Sequence, residues 1–181
     1  PQDYMSMTTG YDWQEPTPDD ITFLNTLVAK IFPNPQIKAY YIQILSTGLF
    51  GCIVDKFFMA TGCGGNGKSV LNELMMTSVG NYGYNIPSSV LSNPIKPDGA
   101  NPTIANMNNK RFILCVEPNK VKPYCSATVK EMTANSNINC RTLYSENTKT
   151  YLKGTIVCEA NNLPNFDETT EATNRRLRGS V

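Results

Sequence analysis

The sequence predicts an α/β fold, in which helices cover both faces of a mainly parallel β-sheet. Two observations lead to this prediction. Apolar segments of strand length alternate along the chain with segments that have helical apolar spacing. A glycine-rich stretch, residues 62–69, lies between one such strand segment, residues 56–61, and one such helix segment, residues 69–76. A glycine loop between a strand and a helix is typical of parallel sheets that bind ligands at the carboxyl ends of their strands.

The glycine-rich stretch matches the G-x-x-x-x-G-K-[ST] pattern of a phosphate-binding P-loop. Its glycines allow the backbone N–H groups to turn toward phosphate oxygens. Lys68 is expected to reach the β- and γ-phosphates of ATP, and the Ser69 hydroxyl is expected to bind Mg²⁺. The predicted cofactor-binding residues are Gly62, Cys63, Gly64, Gly65, Asn66, Gly67, Lys68, Ser69 and Val70.

Two helices are predicted before this loop, because each has a cap residue followed by proline. The first begins at Thr17-Pro18 and carries an apolar stripe expected in the core: Ile21, Leu24, Val28 and Ile31. The second begins at Asn34-Pro35 and is predicted to end near Gly51. We therefore divide the chain into an N-terminal lead-in and helical segment, residues 1–51, and a P-loop core, residues 52–181.

Further strands are predicted after the P-loop helix, at residues 112–116, 138–144 and 154–160, and a helix at 125–134. Gly80–Tyr84 is predicted as a turn, and residues 85–102, with four prolines, as mostly loop. Residues 145–150 are polar and are predicted to form a turn between two strands.

Polar residues follow two of these strands, where ligands of parallel sheets bind. Glu117 follows the apolar run 112–116, and Asn161 follows the predicted strand 154–160. Glu117 is positioned either to hold the Mg²⁺ shell or to activate the attacking water, and Asn161 to orient that water. Each residue also has an alternative without a catalytic role: Glu117 would merely end its strand, and Asn161 would merely form a turn.

Composition restricts the remaining possibilities. The 16 basic residues all lie within residues 30–181, against ten acids, whereas residues 1–29 hold five acids. This distribution suits a polyanionic partner. The chain has no histidine and no C-x-x-C pair among its six cysteines, which disfavours a zinc site, and Cys115 and Cys158 read as core residues. No membrane span or signal peptide is predicted.

An ordered series of motifs resembles the superfamily 3 helicases of DNA viruses. The series runs from the P-loop through Glu117-Pro118, Val129–Thr133, Arg141–Tyr144 and Asn161–Pro164 to Arg175-Arg176-Leu177. It is most similar to the helicase part of the primase–helicases of large nucleocytoplasmic DNA viruses and of phage and plasmid primases. The resemblance covers roughly residues 37–178.

The resemblance implies an AAA+-like three-layer ATPase core that uses ATP and Mg²⁺ and moves along single-stranded DNA as a homohexameric ring. Lys68 and Ser69 would be Walker A, Glu117 Walker B and Asn161 motif C. One of Arg175 and Arg176 would act on the nucleotide of a neighbouring subunit. The hairpin within 130–153 would face the DNA, with three candidate contacts: Arg141, Lys149 at the turn, and Lys153.

Two departures from the family pattern bear on these roles. Pro118 follows Glu117, where many members carry paired acids. Either Glu117 therefore serves as both the base and the Mg²⁺ ligand, or another acid or Asn161 shares these two roles. The stretch 133–137 lacks the Gly-Gly-Asp often found in this branch.

The interpretation is thus an ATP-dependent helicase of viral DNA replication, acting inside the host cell in the cytoplasm or nucleus. The chain starts at Pro1 and stops at Val181, so we expect a fragment of a longer protein that also carries a primase domain. The alternatives are an AAA+-like remodelling or packaging ATPase without unwinding, a P-loop kinase of small molecules, and a non-catalytic oligomerisation module.

Overall fold

A computed structural model describes residues 7–96, 101–116, 122–134, 137–140 and 148–180. The described α-helices are α1 Pro18–Ile31, α2 Pro35–Phe50, α3 Lys68–Val79, α4 Pro102–Asn106, α5 Ser126–Ala134 and α6 Glu171–Arg176. The described strands are β1 Phe57–Thr61, β2 Gly83–Pro87, β3 Phe112–Val116, β4 Asn137–Cys140, β5 Thr148–Tyr151, β6 Thr155–Ala160 and β7 Leu177–Ser180. Short 3₁₀ turns lie at Gly80–Tyr82 and Ser88–Val90.

Five strands form one sheet in the order β2-β3-β6-β1-β7, and every pairing in it is parallel. Strand β6 therefore lies between β1, which leads into the P-loop, and β3, which leads toward Glu117. Strands β4 and β5 form a separate antiparallel pair. The predicted α/β class with a mainly parallel sheet is confirmed.

Alternate residues of the central strands enter two cores, one on each face of the sheet. Phe58 and Ala60 pack with buried residues of α1, α2 and α3. Phe57 and Met59 pack with buried residues of α4, α5 and the β4–β5 pair. This alternation follows from the two-residue period of a strand and gives the predicted three layers.

The two N-terminal helices begin where their caps predict. The Thr17 side chain accepts a hydrogen bond from the Asp20 backbone N–H, and the Asp20 carboxylate accepts one from the Thr17 backbone N–H. The Asn34 side chain accepts bonds from the first turn of α2. Helix α2 ends at Phe50, and Gly51 takes a left-handed conformation with φ of 60°, which glycine adopts without a steric penalty.

The apolar stripe predicted for α1 is wrong in its N-terminal half. Ile21 and Leu24 are each 50% exposed, whereas Val28 is buried. Helix α1 meets the rest of the protein mainly through its last two turns, so the first turns of its stripe have nothing to cover them among the described residues.

Four elements differ from the sequence-based expectation: β2, β5, α6 and β7. Residues predicted as turn and loop form β2, an edge strand that pairs only with β3. Residues 148–150, predicted as a turn, belong to β5, so Lys149 lies in a strand opposite Asn139. Helix α6 and strand β7 were not predicted, because Leu177 is the one large apolar residue of β7 and the strand is fixed by pairing with β1.

The predicted boundary at residue 52 stays a prediction. Tyr41 and Ile44 of α2 share a core with β1 and α3, so the helical segment packs directly on the sheet. Within the described ranges, no helix is long and apolar enough to cross a membrane.

Candidate nucleotide-binding site

The P-loop joins β1 to α3 with the backbone that its glycines permit. Gly65 and Gly67 have φ of 78° and 83°, in the left-handed region that side chains disfavour. A Cβ at Gly67 would also meet the Ile31 side chain of α1 at 2.7 Å. At Gly64 and Gly65, by contrast, a Cβ would meet nothing within 4 Å. The loop therefore packs against α1 on one side and leaves an open cradle on the other.

Lys68 begins α3 and is 7% exposed. Its Nζ donates to the carbonyl oxygens of Gly62 at 2.8 Å and Cys63 at 3.3 Å, and to Asn66 Oδ1 at 3.0 Å. All three partners are neutral oxygens, and the ion pairs found among the described residues leave Lys68 out. The ammonium charge is thus held beside the open cradle, and no carboxylate of the described residues forms an ion pair with it, which suits an anionic ligand.

Ser69 Oγ donates a 2.7 Å hydrogen bond to Oε2 of Glu159, a residue that the sequence analysis did not select. Glu159 is 4% exposed, and its Oε1 accepts a 2.6 Å bond from Asn72 Nδ2. Tyr41 in turn donates to Asn72 Oδ1 at 3.0 Å. Burial raises the pKa of Tyr41 far above its usual value, so the phenol keeps the proton that it donates.

A signal for Glu159 was present in the sequence. It is the one charged residue in the strand 155–160, two positions before Asn161. A charge inside a buried strand requires partners. The sequence alone did not show that Ser69 and Asn72, 90 and 87 residues away, supply them.

The open side of the P-loop borders a cavity of about 1150 Å³. Its lining includes Gly64 to Val70 of the predicted cofactor-binding set, Val116 at the end of β3, and the stretch 159–167 that contains Asn161. Gly62 and Cys63 contribute instead the carbonyl oxygens that hold Lys68. The structure thus brings Lys68, Ser69 and Asn161 to one edge of the sheet, as their places after parallel strands predict.

The loop that carries Asn161 is tied to the start of α5. The backbone N–H of Tyr124 donates to the Asn165 carbonyl at 2.8 Å, and that of Ser126 donates to Asp167 Oδ1 at 2.8 Å. The bond from the Ser126 backbone is the main cause that lowers the pKa of Asp167. These bonds fix the far wall of the cavity relative to the sheet.

The remaining predicted residues lie elsewhere or outside the described ranges. Glu117 and Arg141 lie outside the described residues. Arg175 and Arg176 close α6 at the opposite edge of the sheet, where both are within 4 Å of Asp55. Lys149 and Lys153 are exposed on and just after β5. None of these four described residues lines the cavity.

The chain aligns over nearly its whole length with several viral proteins. It is 30% identical over 184 residues to "Putative helicase L207/L206" of Acanthamoeba polyphaga mimivirus, covering 98% of the chain and 19% of that protein. It is 30% identical over 183 residues to "Primase D5" of fowlpox virus (strain NVSL), and this alignment covers 95% of the chain and 23% of that protein. The chain is homologous to these viral proteins. The predicted resemblance to viral helicases and primase–helicases is thereby confirmed.

A third relative is "Putative helicase 121R" of Invertebrate iridescent virus 3, 28% identical over 97% of the chain and 20% of that protein. The chain therefore spans only about a fifth of the length of these viral helicase and primase homologues. No family model matches the chain.

Solved structures show the same fold. The C-terminal region of NrS-1 superposes with a TM-score of 0.68 over 95% of the chain and 39% of that structure, at 14% identity. JCV helicase superposes with a TM-score of 0.56 over 86% of the chain and 42% of that structure, at 11% identity. At these identities the likeness concerns the fold alone, an α/β fold of the P-loop NTPases.

Proposed function

We propose that this chain is the nucleotide-binding part of an ATP-dependent DNA helicase of viral DNA replication. One observation carries the proposal: Lys68 and Ser69 of an open P-loop share a single cavity with Asn161 from the neighbouring strand. Homology to viral proteins named as helicases and a primase supports the same reading.

The donors around the cavity fit ATP with Mg²⁺. Lys68 holds its ammonium beside an open glycine cradle, outside the ion pairs of the described residues, and Ser69 supplies a hydroxyl next to the Glu159 carboxylate. Lys68 would hold phosphate oxygens, and Ser69 would bind the metal. Bound Mg-ATP would supply the phosphoanhydride bond whose hydrolysis, with ADP as the leaving group, drives movement. Asn161 would orient the attacking water, and Glu117 would accept its proton or hold the Mg²⁺ shell.

Hydrolysis would require a second subunit. Arg175 and Arg176 lie at the edge of the sheet that is opposite to their own P-loop, so neither lines the cavity of its own chain. An arginine that cannot reach its own nucleotide is suited to act on the nucleotide of a neighbour. We therefore propose a ring of identical subunits, with six as the expected number.

Single-stranded DNA would bind along the β4–β5 hairpin. Lys149, Tyr151 and Lys153 are exposed, whereas the intervening Thr150 and Leu152 are buried, so the three outward side chains form one row. The Lys153 ammonium lies 5.9 Å from the centre of the Tyr151 ring. Lysines that contact phosphates and an aromatic ring that stacks on bases together give sequence-independent binding. Arg141 is proposed as a further contact from the sequence alone.

We also propose that the full-length chain carries a primase domain, which is supported by the name of the fowlpox virus relative, "Primase D5". The protein would act inside the host cell, where viral DNA is replicated. No membrane partner is proposed.

The decisive experiment measures ATP hydrolysis by the full-length protein with and without single-stranded DNA, and unwinding of a forked duplex. We expect DNA to stimulate hydrolysis and the duplex to be unwound. Lys68→Ala should abolish both while leaving the circular dichroism spectrum unchanged. Hydrolysis without unwinding would favour a remodelling or packaging ATPase. Phosphoryl transfer to a nucleoside or sugar, with no response to DNA, would favour a kinase and overturn the proposal.

A further inference from the structure

Glu159 is a buried carboxylate that nothing in the proposed reaction yet uses. It is the fifth of six residues in β6, and its strand neighbours in register are Ala60 of β1 and Val116 of β3. Because side chains alternate along a strand, Glu159 lies on the face of the sheet that Val157 shares with α3. The small Ala60 leaves room beside it, at the carboxyl edge where the cavity begins.

Its two partners come from one face of α3. Ser69 and Asn72 are three residues apart, a spacing that places their side chains next to each other on a helix. Each donates to a different oxygen of Glu159, at 2.7 Å and 2.6 Å. Tyr41 fixes the Asn72 amide from α2, because its hydroxyl donates to Asn72 Oδ1. Among these groups only Ser69 belongs to the P-loop pattern.

The direction of the bond from Ser69 matters for metal binding. An ionised carboxylate only accepts hydrogen bonds, so the single proton of the Ser69 hydroxyl points at Glu159. The lone pairs of Ser69 Oγ then remain free for a cation. Outer partners that orient a metal ligand in this way change metal affinity by about 10- to 100-fold when removed.

The charge of Glu159 favours a cation as well. Each ion pair found within the described ranges involves Asp55, and none involves Glu159. The carboxylate is nevertheless 4% exposed. A buried anion without a cationic partner is costly, and a divalent cation held at Ser69 would offset that cost.

We propose that Glu159 is a positioning residue for Mg²⁺, holding the Ser69 hydroxyl in the orientation that binds the metal. This inference rests on the proposed function, because it presupposes that the P-loop takes Mg-ATP. It gives strand β6 a role of its own, besides the role expected of Asn161, which directly follows that strand.

Glu159→Gln in the full-length protein tests the proposal. Glutamine keeps the shape and accepts from Asn72 through its carbonyl, but its NH₂ group then faces Ser69 and donates to it. The Ser69 proton is thereby turned toward the metal position. We expect the Mg²⁺ concentration needed for ATP binding, measured by calorimetric titration, to rise about tenfold or more. Binding of ATP in the presence of a chelator should remain as in the wild type.

Glu73→Gln, on the exposed side of α3, is the matched control and should leave the Mg²⁺ requirement unchanged. Ser69→Ala and the double variant complete a mutant cycle. If Glu159 acts through Ser69, adding Glu159→Gln to Ser69→Ala produces no further rise in the Mg²⁺ requirement. An equal rise in both backgrounds would overturn the proposal, because Glu159 would then act independently of Ser69.

Two further results distinguish this inference from a folding defect and from a failure of the proposed function. If Glu159→Gln does not fold, Glu159→Asp keeps the charge on a side chain one methylene shorter, and it should also raise the Mg²⁺ requirement. If a folded Glu159→Asp variant needed no more Mg²⁺ than the wild type, the position of the carboxylate would be unimportant, and the proposal would be overturned. If the wild-type protein binds no ATP even with Mg²⁺, the proposed function itself would be contradicted.

Discussion

The guanidinium group of Arg176 lies against the carboxylate of Asp55, with 3.1 Å between Arg176 Nε and Asp55 Oδ1. The two atoms are close but are not aligned for a hydrogen bond. The Arg176 side chain is 11% exposed, whereas that of Arg175 is 63% exposed and reaches Asp55 only at 3.8 Å. Asp55 precedes β1, so the rise of about 3.3 Å per residue puts both arginines roughly 15 Å or more from their own P-loop.

This difference predicts separate roles for the two arginines. Arg176→Ala should destabilise the fold by on the order of 1–2 kcal/mol, because it removes a buried stem and leaves Asp55 with only the longer contacts to Arg175 and Lys56. Arg175→Ala should leave stability nearly unchanged but abolish ATP hydrolysis, as expected for an arginine that reaches a neighbouring subunit. Urea unfolding and steady-state hydrolysis measure the two effects. Wild-type hydrolysis by Arg175→Ala would exclude Arg175 as the finger.

Mixing variants tests whether the finger acts between subunits. Arg175→Ala and Lys68→Ala proteins are each expected to be inactive, yet a mixture should regain partial activity because some interfaces contain one intact P-loop and one intact finger. Specific activity of the wild type should also rise with protein concentration. Activity per subunit that stays constant on dilution to the monomer would contradict the ring.

The exposed row on β5 predicts a change in the salt dependence of DNA binding. Replacing Lys149 and Lys153 together by alanine should weaken binding to single-stranded DNA and reduce the slope of log K against log salt by about 0.7 per lysine. The loss should be the same for different base sequences. Fluorescence anisotropy of labelled oligonucleotides at several salt concentrations measures both quantities.

Lys30 and Lys96 provide the matched control, because both are exposed and lie outside the hairpin. Their double alanine variant removes the same total charge. An equal loss of slope in the two double variants would show that DNA responds to net charge and not to the hairpin.

Glu117→Gln separates the two roles that the sequence leaves open for this acid. If Glu117 is the general base, the variant should bind Mg-ATP normally and fail to hydrolyse it, because the amide keeps the shape and loses the basicity. If Glu117 holds Mg²⁺, affinity for the nucleotide should fall as well. Equilibrium binding and single-turnover hydrolysis distinguish these outcomes, with Glu73→Gln as the exposed control. Wild-type rates would exclude both roles.

Local signals in the sequence were sufficient for the elements that they specify. The caps at Thr17 and Asn34, the P-loop pattern and the apolar strands near residues 57, 112 and 155 were all predictable, because each depends on neighbouring residues. Strands β2 and β7 were not, because their place is set by pairing with β3 and β1, which lie far away in the chain. The same holds for the exposed first turns of α1, where helical spacing alone cannot show what covers a face.

The candidate site likewise contains some residues that the local sequence predicts and others that only the fold brings together. The glycines, Lys68 and Ser69 follow from spacing, and the place of Asn161 follows from the rule that parallel strands end at one edge. Glu159 could not be connected to Ser69 from the sequence, since their contact depends on which strand lies next to β1. Likewise, only the fold shows that Arg176 is engaged by Asp55 while Arg175 remains exposed.

Asp167 gives a prediction for the dependence of stability on pH. Its Oδ1 accepts hydrogen bonds from the backbone N–H groups of Ser126 and Glu168, both at 2.8 Å, and it lies at the N-terminus of α5. The bonds from Ser126 are the main cause that lowers its pKa in the folded protein. A lowered pKa in the folded state stabilises the protein above the unfolded pKa of about 3.9. That contribution is lost as the pH falls through the folded value.

The variants Asp167→Asn and Asp167→Ala separate the charge from the hydrogen bonds. Asparagine can accept both bonds with its carbonyl oxygen but carries no charge, so it should be less stable than the wild type at pH 6, and this deficit should be smaller at pH 3. Alanine removes the acceptor and should be less stable at both values. Urea unfolding across this range measures the differences. A deficit of Asp167→Asn that does not shrink toward pH 3 would show that the carboxylate charge is not what stabilises this wall of the cavity.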